Sequence, residues 1–580
     1  MVKLPPLKAV LLFNYSTHQG IHHTHQSISF ILHHLLNFSM LSEAQSLLVR
    51  VISGQVSSCM FSPSSLLDQL TQSHFNSNST YTFLYEAIVN AHIHSRLPDQ
   101  ALYFLDQMID KGLVPRSNTL NNLLNSLIRS NSFGKAWSIF NEKKSIVLLD
   151  VYSFGIMIKG CCEAGDMVKG FQLLAQLEKM GLSANTVIYT TLIDGCCKNG
   201  DVEQAKKLLC NMEELGLVAN QHTYTVLING LFKQGRKKEG FLMYEKMKQH
   251  GVTPNVYTYN CVINEFCNDT NIDQAFKVFE EMHEKGVAHG IVTYNILIGG
   301  LCRVRKLREA MRLVVQVNTL GLSPNIVTYN TLVNGFCDVG SMDTAFRLFN
   351  QMKSNGLSPS LVTYNTLIAG YSRIGNLIEA IHLVKEMEQR GLAPSRVTYT
   401  ILLDAFVRSN DMEKAFQIHS LMEKSGLVSD ACTYSVLIHG FCMHGNMKEA
   451  LKLFKSMGEM DLKPNDVIYN TMIHGYCKEG SSYRALRLLE EMVDNGMIPN
   501  MASYCLTITV LYRDRKWKEA EILLRQMINS GLEPPAYLYN MIYGANTAAV
   551  KEVAPYEANA GRKMEGAYEK SRLMDDGIGI

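Results

Sequence analysis

Apolar residues recur at helical spacing along most of the chain, and glycines interrupt the pattern at regular intervals. In residues 186–220, Ile188 and Leu192 lie one helical turn apart, and Gly200 ends this first periodic segment. A second apolar stripe follows and stops at Gly216. This stretch of 35 residues therefore predicts two helices joined by a short turn.

The two-helix pattern returns with a period of 35 residues. Ile-Val-Thr-Tyr-Asn occupies 291–295 and 326–330, and Leu-Val-Thr-Tyr-Asn occupies 361–365. We count the residue before Val-Thr-Tyr as position 1 and number the repeats 1 to 13, with first residues at 82, 117, 151, 186, 221, 256, 291, 326, 361, 396, 431, 466 and 501. Each repeat has 35 residues except repeat 2, which has 34, so the thirteen repeats cover 82–535.

A fixed period of this length predicts a solenoid. Neither helix of a repeat can bury its apolar face alone, so neighbouring repeats must stack on one another. The predicted fold class is all-α, an α-solenoid superhelix of stacked helix-turn-helix repeats.

The two ends of the chain do not follow the repeat. Residues 1–40 contain no acidic residue, which is typical of organelle transit peptides, and we expect them to form such a peptide or a disordered leader. Residues 41–81 are predicted to be degenerate capping helices. Residues 536–580 are predicted to hold a partial repeat and a mobile tail.

Composition excludes several classes of protein. With 55 Lys and Arg against 53 Asp and Glu, the net charge of +2 excludes a polybasic protein that holds polyanions through its overall field. The 14 cysteines include no Cys-x-x-Cys pair, so neither a zinc ribbon nor a disulfide framework is predicted. No apolar run is long enough to span a membrane. Because no phosphate loop, nucleophile elbow or recurrent acid pair interrupts the repeats, we expect no catalysis, cofactor or metal.

The repeat motif resembles the pentatricopeptide repeat family, and its uniform length resembles the P-class of that family. The resemblance rests on Val-Thr-Tyr-Asn in the first helix, Ala at position 20, Met at position 27 and Gly-x-x-Pro at positions 31 to 34. It implies a right-handed superhelix that binds single-stranded RNA, one base per repeat. The alternative is a tetratricopeptide-like scaffold that holds a peptide in its groove, although that family has a 34-residue period with an early Trp.

The resemblance assigns base selection to position 5 and to the last position of each repeat, position 35. It implies Asn121 with Asp150 for U; Thr190 with Asn220, Thr225 with Asn255 and Ser435 with Asn465 for A; Thr400 with Asp430 for G; Asn330 with Ser360 and Asn365 with Ser395 for C; and Asn295 with Asn325 and Asn470 with Asn500 for a pyrimidine. The pairs Glu86 with Arg116, Gly155 with Asn185, Asn260 with Gly290 and Cys505 with Pro535 depart from the recognised combinations, and their bases stay open, although Asn260 is kept as a base-selecting residue.

A polar residue at position 35 also suits a helix cap or a turn, which is the more common role for one such residue alone. The recurrence of nine recognised pairs favours base selection for the set.

The resemblance also implies two supporting rows of side chains. Position 2 is expected to pack on the base faces, through Val187, Val292, Val327, Val362, Val397 and Val467. Ordinary packing between repeats is the alternative for these valines. Position 13 is expected to point toward the phosphates, through Arg129, Lys198, Lys233, Arg303, Arg373, Arg408, Lys478 and Arg513. Glu163, Asn268, Asp338 and Met443 interrupt this basic row.

Together these assignments predict the RNA site 5′-N-U-N-A-A-N-Y-C-C-G-A-Y-N-3′, where Y is a pyrimidine. We expect a monomeric binder of single-stranded organellar RNA, acting in transcript processing, intron splicing or stabilisation. Other RNA-processing proteins are expected partners. The predicted location is the mitochondrion, with the chloroplast as the alternative.

Overall fold

The structure, a computed structural model, describes residues 5–19, 21, 23–38, 40–53, 78–460 and 462–543. Every regular element of these residues is an α-helix. Before the repeats, the helices are Pro6–His18, His25–Asn37 and Leu41–Ile52. The helix pairs of repeats 1 to 6 are Asn78–His94 and Pro98–Asp110, Ser117–Arg129 and Phe133–Lys143, Val151–Glu163 and Met167–Lys179, Thr186–Lys198 and Val202–Glu214, Gln221–Lys233 and Lys237–Gln249, and Val256–Asn268 and Ile272–Glu284.

The helix pairs of repeats 7 to 13 continue the same spacing. They are Ile291–Arg303 and Leu307–Thr319, Ile326–Asp338 and Met342–Ser354, Leu361–Arg373 and Leu377–Gln389, Arg396–Arg408 and Met412–Lys424, Ala431–Met443 and Met447–Glu459, Asp466–Glu479 and Ser482–Asp494, and Met501–Arg513 and Trp517–Asn529. A last helix, Ala536–Tyr543, follows them. The predicted all-α repeat fold is therefore confirmed.

The chain divides into two compact units, residues 1–297 and 298–580. In each unit, the two helices of a repeat contact one another, and the first helices of consecutive repeats stack. Helix Leu41–Ile52 packs on the first helix of repeat 1. The domain boundaries stay predictions, and most of the expected tail, residues 544–580, lies outside the described residues.

The tyrosine of the Val-Thr-Tyr motif links the two helices of a repeat by a hydrogen bond. In repeats 6, 9 and 12, Tyr259, Tyr364 and Tyr469 are buried, and each donates its hydroxyl to a glutamate at position 26, at 3.4, 3.1 and 2.9 Å respectively. Burial, together with the neighbouring glutamate, raises the pKa of each of these tyrosines to about 12. The hydroxyls are therefore protonated donors at physiological pH.

Glycine at position 10 lets the first helices approach closely. A Cβ atom added to Gly230 would lie 2.5 Å from Sγ and 2.6 Å from Cβ of Cys197, which sits at position 12 of the preceding repeat. The same contact recurs between Gly335 and Cys302. Burial raises the pKa of the Cys197 thiol to about 12, so this side chain is a neutral, small core residue. The glycine and cysteine thus form one interlocking contact between repeats.

The turn between the two helices passes through a left-handed residue at position 15. Glycine occupies it in repeats such as the fifth, where Gly235 has φ 70°. In repeat 6 the residue is Thr270, with φ 57°. A β-branched side chain is strained in this region.

We expect Thr270→Gly to stabilise the protein by roughly 0.5 to 1 kcal/mol, because relief of left-handed strain exceeds the extra flexibility of glycine in the unfolded chain. Urea unfolding followed by circular dichroism measures this change. The matched control is Thr253→Gly, at an exposed loop residue outside the positive-φ set, which is expected to be neutral or destabilising. Equal effects of the two substitutions would contradict the prediction.

Candidate nucleic-acid interface

The polar residues at position 35 are the N-caps of the following first helices. Asn220 accepts a hydrogen bond from the backbone N–H of Thr223 at 3.0 Å, and Ser395 accepts one from Thr398 at 3.3 Å. The same bond is made by Asp150, Asn185, Asn255, Asn325, Ser360, Asp430, Asn465 and Asn500. The capping alternative is therefore correct for each of these residues. Their recurrence is explained by helix starts and is not by itself evidence for base selection.

Capping fixes which atoms remain for a ligand. An asparagine cap uses Oδ1, as Asn255 does at 2.8 Å from the N–H of Thr258, and keeps its two Nδ2 protons as donors. An ionised aspartate has only acceptors. Burial raises the pKa of the Asp150 carboxyl, but hydrogen bonds from Ser153, Ser117 and Asn121 outweigh it and hold the pKa below its usual value. The last position thus presents a donor in one set of repeats and an acceptor in another.

Position-5 side chains lie beside these caps, on the first helix of each repeat. Four of the predicted base-selecting side chains at this position are buried: Asn121, Thr190, Thr225 and Asn365. The other base-selecting residues at this position are partly exposed, namely Asn260, Asn295, Asn330, Thr400, Ser435 and Asn470. In repeat 2 the predicted pair touches directly, with Asn121 Nδ2 donating to Asp150 Oδ1 at 3.3 Å.

A third residue, at position 3 of the following repeat, connects the two base-selecting positions, and the sequence analysis missed it. Thr398 donates its hydroxyl to Asn365 Oδ1 at 2.8 Å, and its backbone N–H is the one capped by Ser395. Thr223 stands likewise between Thr190, at 2.7 Å between hydroxyl oxygens, and Asn220. The sequence did contain a signal for this position-3 residue, because the threonine of Val-Thr-Tyr recurs as regularly as the base-selecting residues.

Repeat 1, whose pair departed from the recognised combinations, forms an ion pair at these positions. Glu86, which is buried, accepts hydrogen bonds from the Arg116 backbone N–H at 2.8 Å and from its Nε at 2.9 Å. The guanidinium Nη2 also lies 2.7 Å from the carboxylate. The Glu86 carboxylate and the Arg116 guanidinium bind one another, so no base is assigned to repeat 1.

The six position-2 valines are all solvent-exposed, between 50% and 66%. Packing between repeats therefore does not account for them. The sequence analysis restricted this row to valine, but Tyr152 and Tyr257 occupy position 2 of repeats 3 and 6 and are equally exposed. Exposed aliphatic and aromatic side chains in one register form, in each unit, a row of surfaces suited to stacking on nucleobases.

Most of the residues predicted to contact phosphate are the last residue of a first helix: Arg129, Lys198, Lys233, Arg303, Arg373, Arg408 and Arg513. The remaining one, Lys478, is the second-to-last residue of its helix. A cation there also complements the helix dipole. Lys198 is in an ion pair with Asp194 at 2.7 Å, Arg373 with Asp338 at 2.7 Å and Arg408 with Asp404 at 2.9 Å. A phosphate at these residues would have to compete with the carboxylates.

Within the described ranges, no helix is long and apolar enough to cross a bilayer. Nor does any cluster of three or more His, Cys, Asp or Glu side chains in the same ranges have an arrangement that could hold a metal ion.

Known proteins share both the repeats and the fold. Over 191 residues, the chain is 56% identical to a pentatricopeptide repeat-containing protein of Arabidopsis thaliana, a stretch covering 33% of each. Two further Arabidopsis relatives are a mitochondrial one, 26% identical over 132 residues (22% of this chain, 31% of the relative), and a chloroplastic one, 33% identical over 79 residues (14% and 9%). The matched part of this chain thus spans a third or less of these relatives.

The crystal structure of the pentatricopeptide repeat protein PPR10 from maize matches with a TM-score of 0.63 at 23% identity, covering 93% of this chain and 78% of that one, which shows a shared fold. Models of the PPR repeat family match residues 115–163, 184–233, 225–268, 254–303, 289–338, 324–368, 359–408, 397–443 and 464–513, and models of the single PPR repeat match 83–113, 152–182, 432–462 and 502–532. The chain therefore belongs to the pentatricopeptide repeat family.

Proposed function

We propose that this protein binds single-stranded RNA in a sequence-specific manner, one base per repeat, as a P-class member of its family. The observation that carries the proposal is a recurrent geometry. In repeats 4, 5, 8, 9, 10 and 12, the position-5 side chain and the cap at position 35 meet at one hydroxyl-bearing residue, and in repeat 2 they are hydrogen-bonded directly to one another.

A repeat that has all three features then offers three functions to a nucleotide. The exposed position-2 side chain supplies a surface on which any base stacks. The polar pair at positions 5 and 35 supplies donors and acceptors for a base edge. The cations at position 13 supply attraction for the phosphate, which explains how a chain of net charge +2 holds a polyanion through local charge.

The cellular role proposed for this binding is transcript processing, intron splicing or stabilisation in an organelle. Two observations support an organelle: the acid-free N-terminal stretch and the mitochondrial and chloroplastic relatives. We propose the mitochondrion, with the protein acting as a monomer beside other RNA-processing proteins. Sequencing of RNA crosslinked to the protein in isolated organelles tests location and target together.

The binding proposal predicts a clear preference for one RNA sequence. We expect 5′-N-U-N-A-A-N-Y-C-C-G-A-Y-N-3′ to bind more than about 100-fold tighter than a scrambled RNA of the same composition, since each mismatched base costs on the order of 1 to 3 kcal/mol. Titration at one fixed salt concentration measures both affinities.

The same RNA annealed to its complement is the control, and it should compete poorly because its base edges are paired. Equal affinity for the predicted and scrambled RNA would contradict sequence-specific binding. Absence of RNA binding would favour the peptide-scaffold alternative.

A further inference from the structure

The residues at position 3 of the repeats form a set of buried hydroxyl groups that help to cap the first helices and also contact the preceding repeat. Position 3 carries Thr or Ser in most repeats, and each of the following side chains is 0% exposed: Ser153, Thr223, Thr258, Thr293, Thr328, Thr363, Thr398, Thr433 and Ser503. Valine would fill the same volume without a polar group to satisfy. A buried hydroxyl has to find a hydrogen-bond partner, so its recurrence points to a specific partner.

Besides the cap, which bonds hydroxyls such as those of Thr223 and Thr398, the partner is the position-5 side chain of the preceding repeat. The oxygen-to-oxygen distances are 2.7 Å for Thr190 with Thr223, 2.6 Å for Thr225 with Thr258, 2.7 Å for Asn330 with Thr363, 2.8 Å for Asn365 with Thr398, 3.3 Å for Thr400 with Thr433 and 2.7 Å for Asn470 with Ser503. The contact is the same whether position 5 is threonine or asparagine.

For asparagine, this contact decides which way the amide faces. Thr398 accepts the backbone N–H of Ser395 at 3.1 Å and directs its single hydroxyl proton to Asn365 Oδ1. Thr363 does the same between Ser360 and Asn330. With the oxygen side of the amide held by this hydroxyl, Nδ2 supplies the two donors that remain for a ligand. Without the hydroxyl, the amide could rotate and present Oδ1 instead.

Several repeats in the chain lack part of this arrangement. In repeat 2, Ser153 donates to Asp150 Oδ1, and Asn121 Oδ1 is buried without a hydrogen-bond partner. In repeat 6 the cap position is Gly290, which has no side chain, and both Asn260 Oδ1 and Thr293 Oγ1 are buried without a hydrogen-bond partner. After repeat 11, position 3 is Ile468, which offers no hydroxyl to Ser435. The selecting side chain is therefore fixed only where the cap, the position-3 hydroxyl and position 5 are all polar.

We propose that the buried position-3 hydroxyl of each repeat is a positioning residue for base selection by the preceding repeat, because it fixes the donor and acceptor pattern of position 5. The proposal rests on the proposed RNA binding and extends the selecting unit from two residues to three. Repeats followed by Thr or Ser at position 3 then discriminate among bases more sharply than repeat 11, which is followed by Ile468.

The test compares Thr398→Val with Thr398→Ser, using the full chain and two RNAs that differ only in having C or A at the ninth base. Thr398→Val keeps the volume and removes the hydroxyl, and we expect the preference for C to fall about tenfold, as one hydrogen bond implies. Thr398→Ser retains the hydroxyl and should retain the preference. Preferences at the eighth base should stay unchanged in both variants.

A purely structural role for Thr398 would weaken binding of both RNAs equally and leave their ratio intact, and that result would overturn the proposal. Ile468→Thr supplies the converse measurement, because it adds a hydroxyl beside Ser435 and should sharpen the preference at the eleventh base. An unaltered preference there would also count against the proposal. A wild-type protein with no preference at the ninth base would instead refute the proposed function itself.

Discussion

Gly230→Ala is expected to destabilise the protein by about 2 to 3 kcal/mol, the largest single effect on stability that we predict. The added methyl group would meet both Sγ and Cβ of Cys197. Because Cβ is attached to the backbone, a rotamer change of the cysteine cannot relieve the contact, and the stacked helices must move apart. Urea unfolding measures the loss, which should appear in the unit that contains repeats 4 and 5.

Gly134→Ala is the matched control for this prediction. Gly134 is also helical and lies in the same unit, but a Cβ added to it would meet nothing within 4 Å. The greater helix propensity of alanine should therefore leave stability unchanged or raise it by up to about 1 kcal/mol. Similar losses in the two variants would show that close stacking at position 10 is not the cause.

The largest expected effect on binding is a change of base preference by Thr400→Asn, from G to U at the tenth base. Asp430 caps Thr433 and is ionised, since hydrogen bonds from Thr433 and the Arg396 charge outweigh burial and lower its pKa. Asparagine at 400 would recreate the pair already present in repeat 2, where Asn121 donates to Asp150. We expect a shift on the order of 1 to 3 kcal/mol.

Two RNAs with G or U at the tenth base, titrated against wild type and variant at one salt concentration, measure this shift. Preference at the second base is the internal control, because repeat 2 is untouched by the substitution. Retention of the wild-type G preference by the variant would refute the assignment of this repeat.

The helices were predictable from sequence because local signals mark both of their ends. Asp201 accepts a hydrogen bond from the backbone N–H of Gln204 at the start of a second helix, and the left-handed turn lies at Gly200, which the sequence placed at the end of the first helix. These signals act within a few residues of one another. The stacking of the repeats was predicted from their fixed period, because the apolar faces of both helices can be buried only against neighbouring repeats.

The candidate interface was only partly predictable, because its central contact joins residues more than 30 positions apart. The hydrogen bond from Thr398 to Asn365 crosses between repeats, so nothing in the local sequence distinguishes a buried threonine from a surface one. The position-35 residues were identified, but their capping role became clear only with the bond from each cap to the next helix. Tyr152 and Tyr257 were not predicted because they share the register of the exposed valines but not their residue type.

The caps also limit how such a protein can be reprogrammed. A substitution at position 35 intended to alter the target transcript simultaneously changes the start of the next helix. Replacement of a cap such as Asn220 by alanine would cost on the order of 1 kcal/mol of stability besides any change in recognition. The residue types that evolution or an engineer can use at position 35 are therefore the few short polar ones. Only these both cap a helix and keep a donor or acceptor atom for the nucleotide.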